Sequence, residues 1–101
     1  MLYSFVIPCY KSSQTIEKVV RLTQEEMKRL GHGQVEFVLV NDCSPDQGAT
    51  IRALKKLAGE NPAVKVIDLA KNAGQHNAIM AALNYVKGDV IIAMDDDMQT
   101  H

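Results

Sequence analysis

Cysteine is scarce in this chain: Cys9 and Cys43 are the only two in 101 residues. They are too few and too far apart for a disulfide framework or a zinc site, and both are expected as reduced thiols in a cytoplasmic protein. Cys9 ends an apolar run with no clear histidine partner at the end of another such run, so packing is its expected role rather than nucleophilic attack. No stretch approaches the roughly 20 apolar residues that a membrane span requires. The run Phe5-Val6-Ile7 close behind Met1 is too short for the core of a signal peptide. An excess of one charge is missing too. The 11 basic and 12 acidic residues leave a formal net charge of -1, which gives no electrostatic case for nucleic acid or an anionic membrane surface as a partner. No G-x-G-x-x-G follows the first apolar run, and no G-x-x-x-x-G-K-[ST] or G-x-S-x-G occurs anywhere. These absences argue against a nicotinamide enzyme, a P-loop NTPase and a serine hydrolase. Repeats, low-complexity segments and linkers are also lacking, and the length suits one domain over residues 1–101.

What is present is a regular exchange of two apolar periods. With 47% hydrophobic residues the chain can bury a core. Phe5-Val6-Ile7, ended by Pro8, reads as a buried strand. Ile16, Val19, Val20, Met27 and Leu30 fall near helical spacing between Ser13 and Leu30, with Ser12 or Ser13 as the cap and Gly31 as the stop. Phe37-Val38-Leu39-Val40 is a second strand. Ile51, Leu54, Leu57 and Ala58 line a second helix that Gly59 is expected to close. Asn61-Pro62 precedes a third strand over Val64 to Leu69. A third helix is expected from about Gln75 to Val86, with Ile79, Ala82, Leu83 and Val86 facing the core and Gly88 ending it. Val90-Ile91-Ile92-Ala93-Met94 is the fourth strand. Continuous apolar strands imply a sheet covered on both faces, so the order βαβαβαβ predicts an α/β fold, a three-layer sandwich with a parallel four-stranded sheet.

Such sheets bind ligands beyond the carboxyl ends of their strands, where the strand order reverses. The chemically suggestive residues lie at those ends. Asp95-Asp96-Asp97 follows the fourth strand. Three adjacent carboxylates repel one another unless a counterion joins them, and an oxygen-seeking divalent cation such as Mg2+ or Mn2+ is the usual one. Extended backbone puts Asp95 and Asp97 on one side with Gln99, and Asp96 opposite. A solvated acidic turn is the plainer alternative. Asp42, after the second strand, can accept the ring N–H of a base or cap the next helix, a role that also suits Asp46. Tyr10 can lay its ring on a base or simply stand wet at the rim. Lys71 can reach a pyrophosphate or remain solvated. Gly74 permits close backbone approach or a positive φ, and His76 and Asn77 either face the ligand or begin the third helix.

Four stretches together resemble the N-terminal half of family 2 glycosyltransferases with the GT-A fold: 4–10, 36–46, 71–78 and 88–99. They read SFVIPCY, EFVLVNDCSPD, KNAGQHNA and GDVIIAMDDDMQ. The last, ending in Asp-x-Asp-x-Gln, is most similar to enzymes that move a sugar onto a polyprenyl phosphate or a cell-envelope glycan. The resemblance implies an inverting transferase that binds a nucleotide-diphosphate sugar, with a UDP-sugar as the expected donor and a lipid phosphate or glycan as acceptor. It places Pro8 and Tyr10 against the nucleoside, Asp42 on the base, and Lys71 and Gly74 near the nucleotide. Asp95 and Asp96 fall on the donor side, and Asp95, Asp97 and Gln99 around the divalent ion. Two positions depart from the pattern: Lys11 stands where Asn is usual, and Asn41 replaces the first Asp of a common pair.

The resemblance also implies an acceptor half, a catalytic base and any membrane helices beyond His101. The 101 residues are therefore read as the front part of a longer protein, inactive alone, whose full form can sit on the cytoplasmic face of a membrane. A fourth strand cut off from later strands leaves an open apolar edge, from which a homo-oligomer is expected. Two other classes compete. One is a non-catalytic nucleotide- or metal-binding α/β module. The other is a phosphohydrolase, which would carry its Asp cluster after the first strand, where this chain has Pro8-Cys9-Tyr10-Lys11.

Overall fold

The computed structural model describes residues 1–10, 13–32, 34–41, 48–69, 79–80 and 82–94. Their order is β1 (Tyr3–Cys9), α1 (Ile16–Arg29), β2 (Val35–Asn41), α2 (Ala49–Glu60), β3 (Val64–Asp68) and β4 (Val90–Ala93). All pairings are parallel, and the sheet order is β3-β2-β1-β4. The third helix is represented by helical backbone at Ile79, Met80 and Ala82, with the Leu83 N–H donating to the Ile79 carbonyl at 3.1 Å. Its expected start at Gln75 lies outside the described residues.

Alternation along the strands divides the core in two. Phe5, Ile7 and Cys9 of β1 join Val35, Phe37 and Leu39 of β2 against Ile16, Val19 and Val20 of α1 and Leu54 and Leu57 of α2. Phe5 and Phe37, directly paired in register, stack with ring centroids 5.4 Å apart. On the other face Val6, Val38 and Val40 pack against Ala82, with Ile79 and Val86 beside it. The chain steps outward from β1 to β3 with both helices on one face, then returns across the opposite face to β4. Right-handed crossovers impose that change of face, and the three-layer α/β sandwich is the result.

Several local expectations need correction. Pro8 does not end the first strand; β1 continues through it to Cys9. Gly59 does not close the second helix, which runs to Glu60, and Asn61 terminates it. The Asn61 side-chain oxygen accepts from the Ala63 N–H at 3.0 Å, while the Asn61 backbone N–H donates to the Leu57 carbonyl. Leu30 and Leu83 were expected on core faces, yet both are exposed. Leu30 lies past the last turn of α1, and the backbone turns away after Ala82, so helical periodicity no longer governs either side chain. The α1 cap is Thr15 without a side-chain cap bond, in place of Ser13; Ser12 lies outside the described residues. Gly31 does stop α1, with φ of 85° that a side chain would resist.

The amino end of the sheet holds a polar lock. Glu36 is buried, and Ser4 Oγ donates to its carboxylate. The Lys87 N–H reaches the same oxygen at 2.6 Å, and Lys65 Nζ lies 2.9 Å from the other. Burial alone would push the Glu36 carboxyl up. The bonds from Ser4, the Lys87 amide and Lys65 outweigh it and hold the group at about 2, against an ordinary 4.5. Gly88 donates to Ser4 Oγ at 2.8 Å. This lock ties the returning chain to β1 and β2 just before β4 begins. Gly88 thus serves close packing rather than a helix stop, because a Cβ there would meet Ser4 Oγ at 2.1 Å and the Leu2 carbonyl oxygen at 2.9 Å.

Two outcomes follow from the lock. Gly88→Ala should destabilise the fold by about 1–3 kcal/mol through overpacking, read as a lower urea midpoint at unchanged slope. Because the Glu36 pKa is depressed on folding, its contribution is present above about 4.5 and fades as pH falls toward about 2. Urea titrations should show the wild type losing about 3 kcal/mol more than Glu36→Gln across that window; parallel pH profiles would remove the proposed role.

Candidate functional site

Strand order reverses between β1 and β4. β1 leads to β2 on one side, while β4, which comes last, lies on the other. In open parallel sheets the crevice beyond the carboxyl ends at this point receives the ligand. Here it lies past Cys9 of β1 and past Ala93 of β4.

Pro8 shapes that crevice from inside the strand. The Leu2 carbonyl accepts from the Asp89 and Val90 N–H groups, and the Val6 carbonyl accepts from the Met94 N–H at 3.0 Å. Even-numbered peptide groups of β1 therefore face β4, and odd-numbered ones face β2. Pro8 is even and has no N–H to offer. The described β1–β4 register runs to Val6↔Ala93, and β1–β2 pairing runs to Cys9↔Asn41. The proline thus offers no donor on the β4 side of β1, while its pairing with β2 is untouched.

Tyr10 comes two residues later, and 45% of its surface is exposed. Cys9, between them, is fully buried, and its thiol contacts the Ile7 carbonyl at 3.4 Å. That is the packing role expected for it. On the neighbouring strand ends the Asn41 Nδ2 donates to Asp68 Oδ1 at 2.8 Å, and the Leu69 N–H donates to the Asn41 carbonyl at 2.9 Å. Of the residues singled out from sequence, Pro8 and Tyr10 are described, and both belong to the carboxyl end of the central strand. Asp42, Lys71, Gly74, Asp95, Asp96, Asp97 and Gln99 lie outside the described residues, as do Lys11, Asp46, His76 and Asn77.

Sequence reasoning missed the Asn41–Asp68 pair. Each is the polar last residue of an apolar strand, a signal visible in the sequence, but only the register matches one with the other. It also missed the Glu36 lock. That cluster lies at the amino ends of the strands, opposite the ligand crevice, and its work is structural. A groove of about 600 Å³ along β3 and residues 84–87 lies on the sheet's flank rather than at the switch point.

The described fold is the N-terminal part of a GT-A glycosyltransferase fold. It superposes on TarS 1-349 of S. aureus with a TM-score of 0.76 at 27% identity, covering 96% of this chain and 28% of that one. A mannosyltransferase of Pyrobaculum calidifontis, in complex with GDP-Man and Mn2+, aligns with a TM-score of 0.75 at 23% identity, over 94% of this chain and 27% of its own. Residues 4–101 match the model of glycosyl transferase family 2, and the chain belongs to that family. It is 41% identical over 96 residues to an undecaprenyl-phosphate 4-deoxy-4-formamido-L-arabinose transferase of Pseudomonas fluorescens, covering 95% of this chain and 28% of the relative. The chain spans little more than a quarter of the length of the curated relatives it matches.

Proposed function

We propose that this chain is the donor-binding domain of an inverting glycosyltransferase, which takes a nucleotide-diphosphate sugar and passes the sugar to a polyprenyl phosphate or a cell-envelope glycan. The observation that carries the reading is the reversal of strand order between β1 and β4. The exposed Tyr10 follows one of these strands, and the sequence runs from the other directly into Asp95-Asp96-Asp97. Family membership supports the reaction class, and relatives named undecaprenyl-phosphate 4-deoxy-4-formamido-L-arabinose transferases support the acceptor class.

In this reading Pro8 and Tyr10 contact the nucleoside, Asp42 accepts from the base, and Lys71 and Gly74 lie along the phosphates. Asp95 and Asp96 hold the donor. A divalent ion fits the remaining chemistry, because Asp95 and Asp97 offer carboxylate oxygens and Gln99 an amide oxygen, the ligands that Mg2+ and Mn2+ prefer. When bound, such an ion neutralises charge on the departing nucleoside diphosphate. The protein groups supply binding and orientation, and none of them is assigned as the catalytic base. Among the described residues no helix is long and apolar enough to cross a membrane. Action at the cytoplasmic face on a lipid-borne acceptor is part of the same proposal.

UDP is the first ligand to test, since a UDP-sugar is the proposed donor. Calorimetry of the chain with UDP should show binding that needs Mn2+ or Mg2+. Asp97→Ala should weaken it at least about tenfold, and Tyr10→Ala by about three- to tenfold through lost stacking. Binding that ignores the metal would count against the assignment. Release of UDP from a UDP-sugar on adding a polyprenyl phosphate, by the full-length protein, separates a transferase from a non-catalytic module.

We also propose that the chain forms a homo-oligomer through β4. This outer strand carries no charge, and Ile91 on it is 48% exposed. The opposite outer strand carries Lys65 and Asp68, charges that discourage edge pairing. Light scattering should report a dimer or larger species that Ile91→Lys converts to monomer; a wild-type monomer at high concentration would refute this.

A further inference from the structure

The carboxyl ends of β2 and β3 are joined by a side-chain pair with a consequence for the site. Asn41 and Asp68 are the last residues of their strands and stand directly opposite in the register. The Asn41 amide, buried, donates to Asp68 Oδ1 at 2.8 Å, and the Leu69 N–H donates back to the Asn41 carbonyl at 2.9 Å. Side chain and backbone of one residue therefore clamp the next strand at the rim. Asp42 follows this clamp by one residue, and Lys71 follows Asp68 by three. The stretch proposed to carry the base contact thus begins one residue beyond the hydrogen-bonded pair, whereas two further residues separate Lys71 from it.

The chemistry of the clamp demands an amide at position 41. An ionised carboxylate there has no proton to donate and would face the Asp68 carboxylate across the register, a like-charge pair that is destabilising when directly opposite. An apolar residue would leave the rim end of β3 without its side-chain bond. Asn supplies a donor without charge, which gives a physical reason for its presence where the resemblance leads one to expect aspartate.

We propose that Asn41 is a positioning residue for the donor nucleotide: by donating to Asp68 it sets where the loop after β2 departs, and so where Asp42 meets the base. The inference rests on the reading that Asp42 contacts the base. Asn41 itself touches no donor atom in this scheme, and its effect passes through the loop origin.

The test uses the whole chain with Mn2+ and measures affinity for UDP, GDP and dTDP, with inorganic pyrophosphate as a ligand that has no base. Asn41→Asp should weaken the best nucleoside diphosphate about tenfold while leaving pyrophosphate within about twofold. The exchanged pair, Asn41→Asp with Asp68→Asn, restores a donor facing an acceptor and should bring affinity back to within about threefold of wild type. Circular dichroism and urea unfolding of each variant separate loss of fold from loss of positioning, and the exchanged pair keeps the test decisive should the single variant unfold. Unchanged nucleotide affinity in Asn41→Asp, equal loss of pyrophosphate, or failure of the exchanged pair to recover would each overturn the proposal. The Asp42→Ala variant distinguishes the two levels. If it binds nucleotide like wild type, the base-contact reading falls and this inference falls with it. If it binds weakly while Asn41→Asp is unaffected, only the inference falls. If none of the three nucleotides binds the wild type, both are overturned.

Discussion

The ladder between β1 and β2 is the interaction on which the rest of the structure depends. Seven consecutive residues of each strand pair in parallel, and every residue of β2 is buried. Burying side chains the size of Phe37, Ile7 and Leu39 contributes about 1.5–3 kcal/mol each. Because both faces are apolar, neither strand can sit at a solvent-facing layer, so helices must cover the sheet on both sides. That requirement sends α1 and α2 to one face and the returning chain to the other, and it makes β1 the strand at which order reverses. The switch point is a geometric by-product of placing β1 inside the sheet.

The two ends of the sheet then receive different treatment. At the amino end Glu36, Ser4, Lys65 and the backbone at 87–88 satisfy one another. A buried carboxylate with this many donors is committed to structure, since removing any partner leaves a charge that water cannot reach. At the carboxyl end the same strands finish with a proline that has no donor to offer, an exposed tyrosine, and an amide–carboxylate clamp. Rigidity at one end gives the loops at the other a fixed base from which to meet a ligand, the arrangement that favours precise sites on rigid elements. Membership of glycosyl transferase family 2 fits this division, and the proposed donor site occupies the end left free of structural duty.

Much of this was legible in the residue pattern. Unbroken apolar runs at 5–7, 37–40 and 90–94, alternating with helical periodicity, determined an α/β architecture with a parallel sheet, because only that architecture buries such strands on both faces. The position of the acidic run after the last strand followed from the same pattern. Errors fell where local rules compete with tertiary context. Pro8 looked like a strand terminator, yet its peptide group faces away from β2, so the proline leaves the β1–β2 ladder intact. Gly59 looked like a helix stop, yet α2 gains from continuing to Asn61, whose side chain caps the turn. Gly88 looked like another stop and is instead a close contact with Ser4.

The sequence by itself thus determined the class of fold, the family motifs and the strand ends where chemistry gathers, since these depend on periodicity and order along the chain. Only the tertiary structure decided which strand is central, which face each crossover takes, and which distant side chains meet. Asn41 with Asp68 and Glu36 with Ser4, Lys65 and Lys87 are 27 to 51 residues apart for their hydrogen-bonded pairs. Register brings Asn41 to Asp68 and Ser4 to Glu36, packing brings Lys65 and Lys87 to the same carboxylate, and both are set by the whole sheet rather than by any local segment.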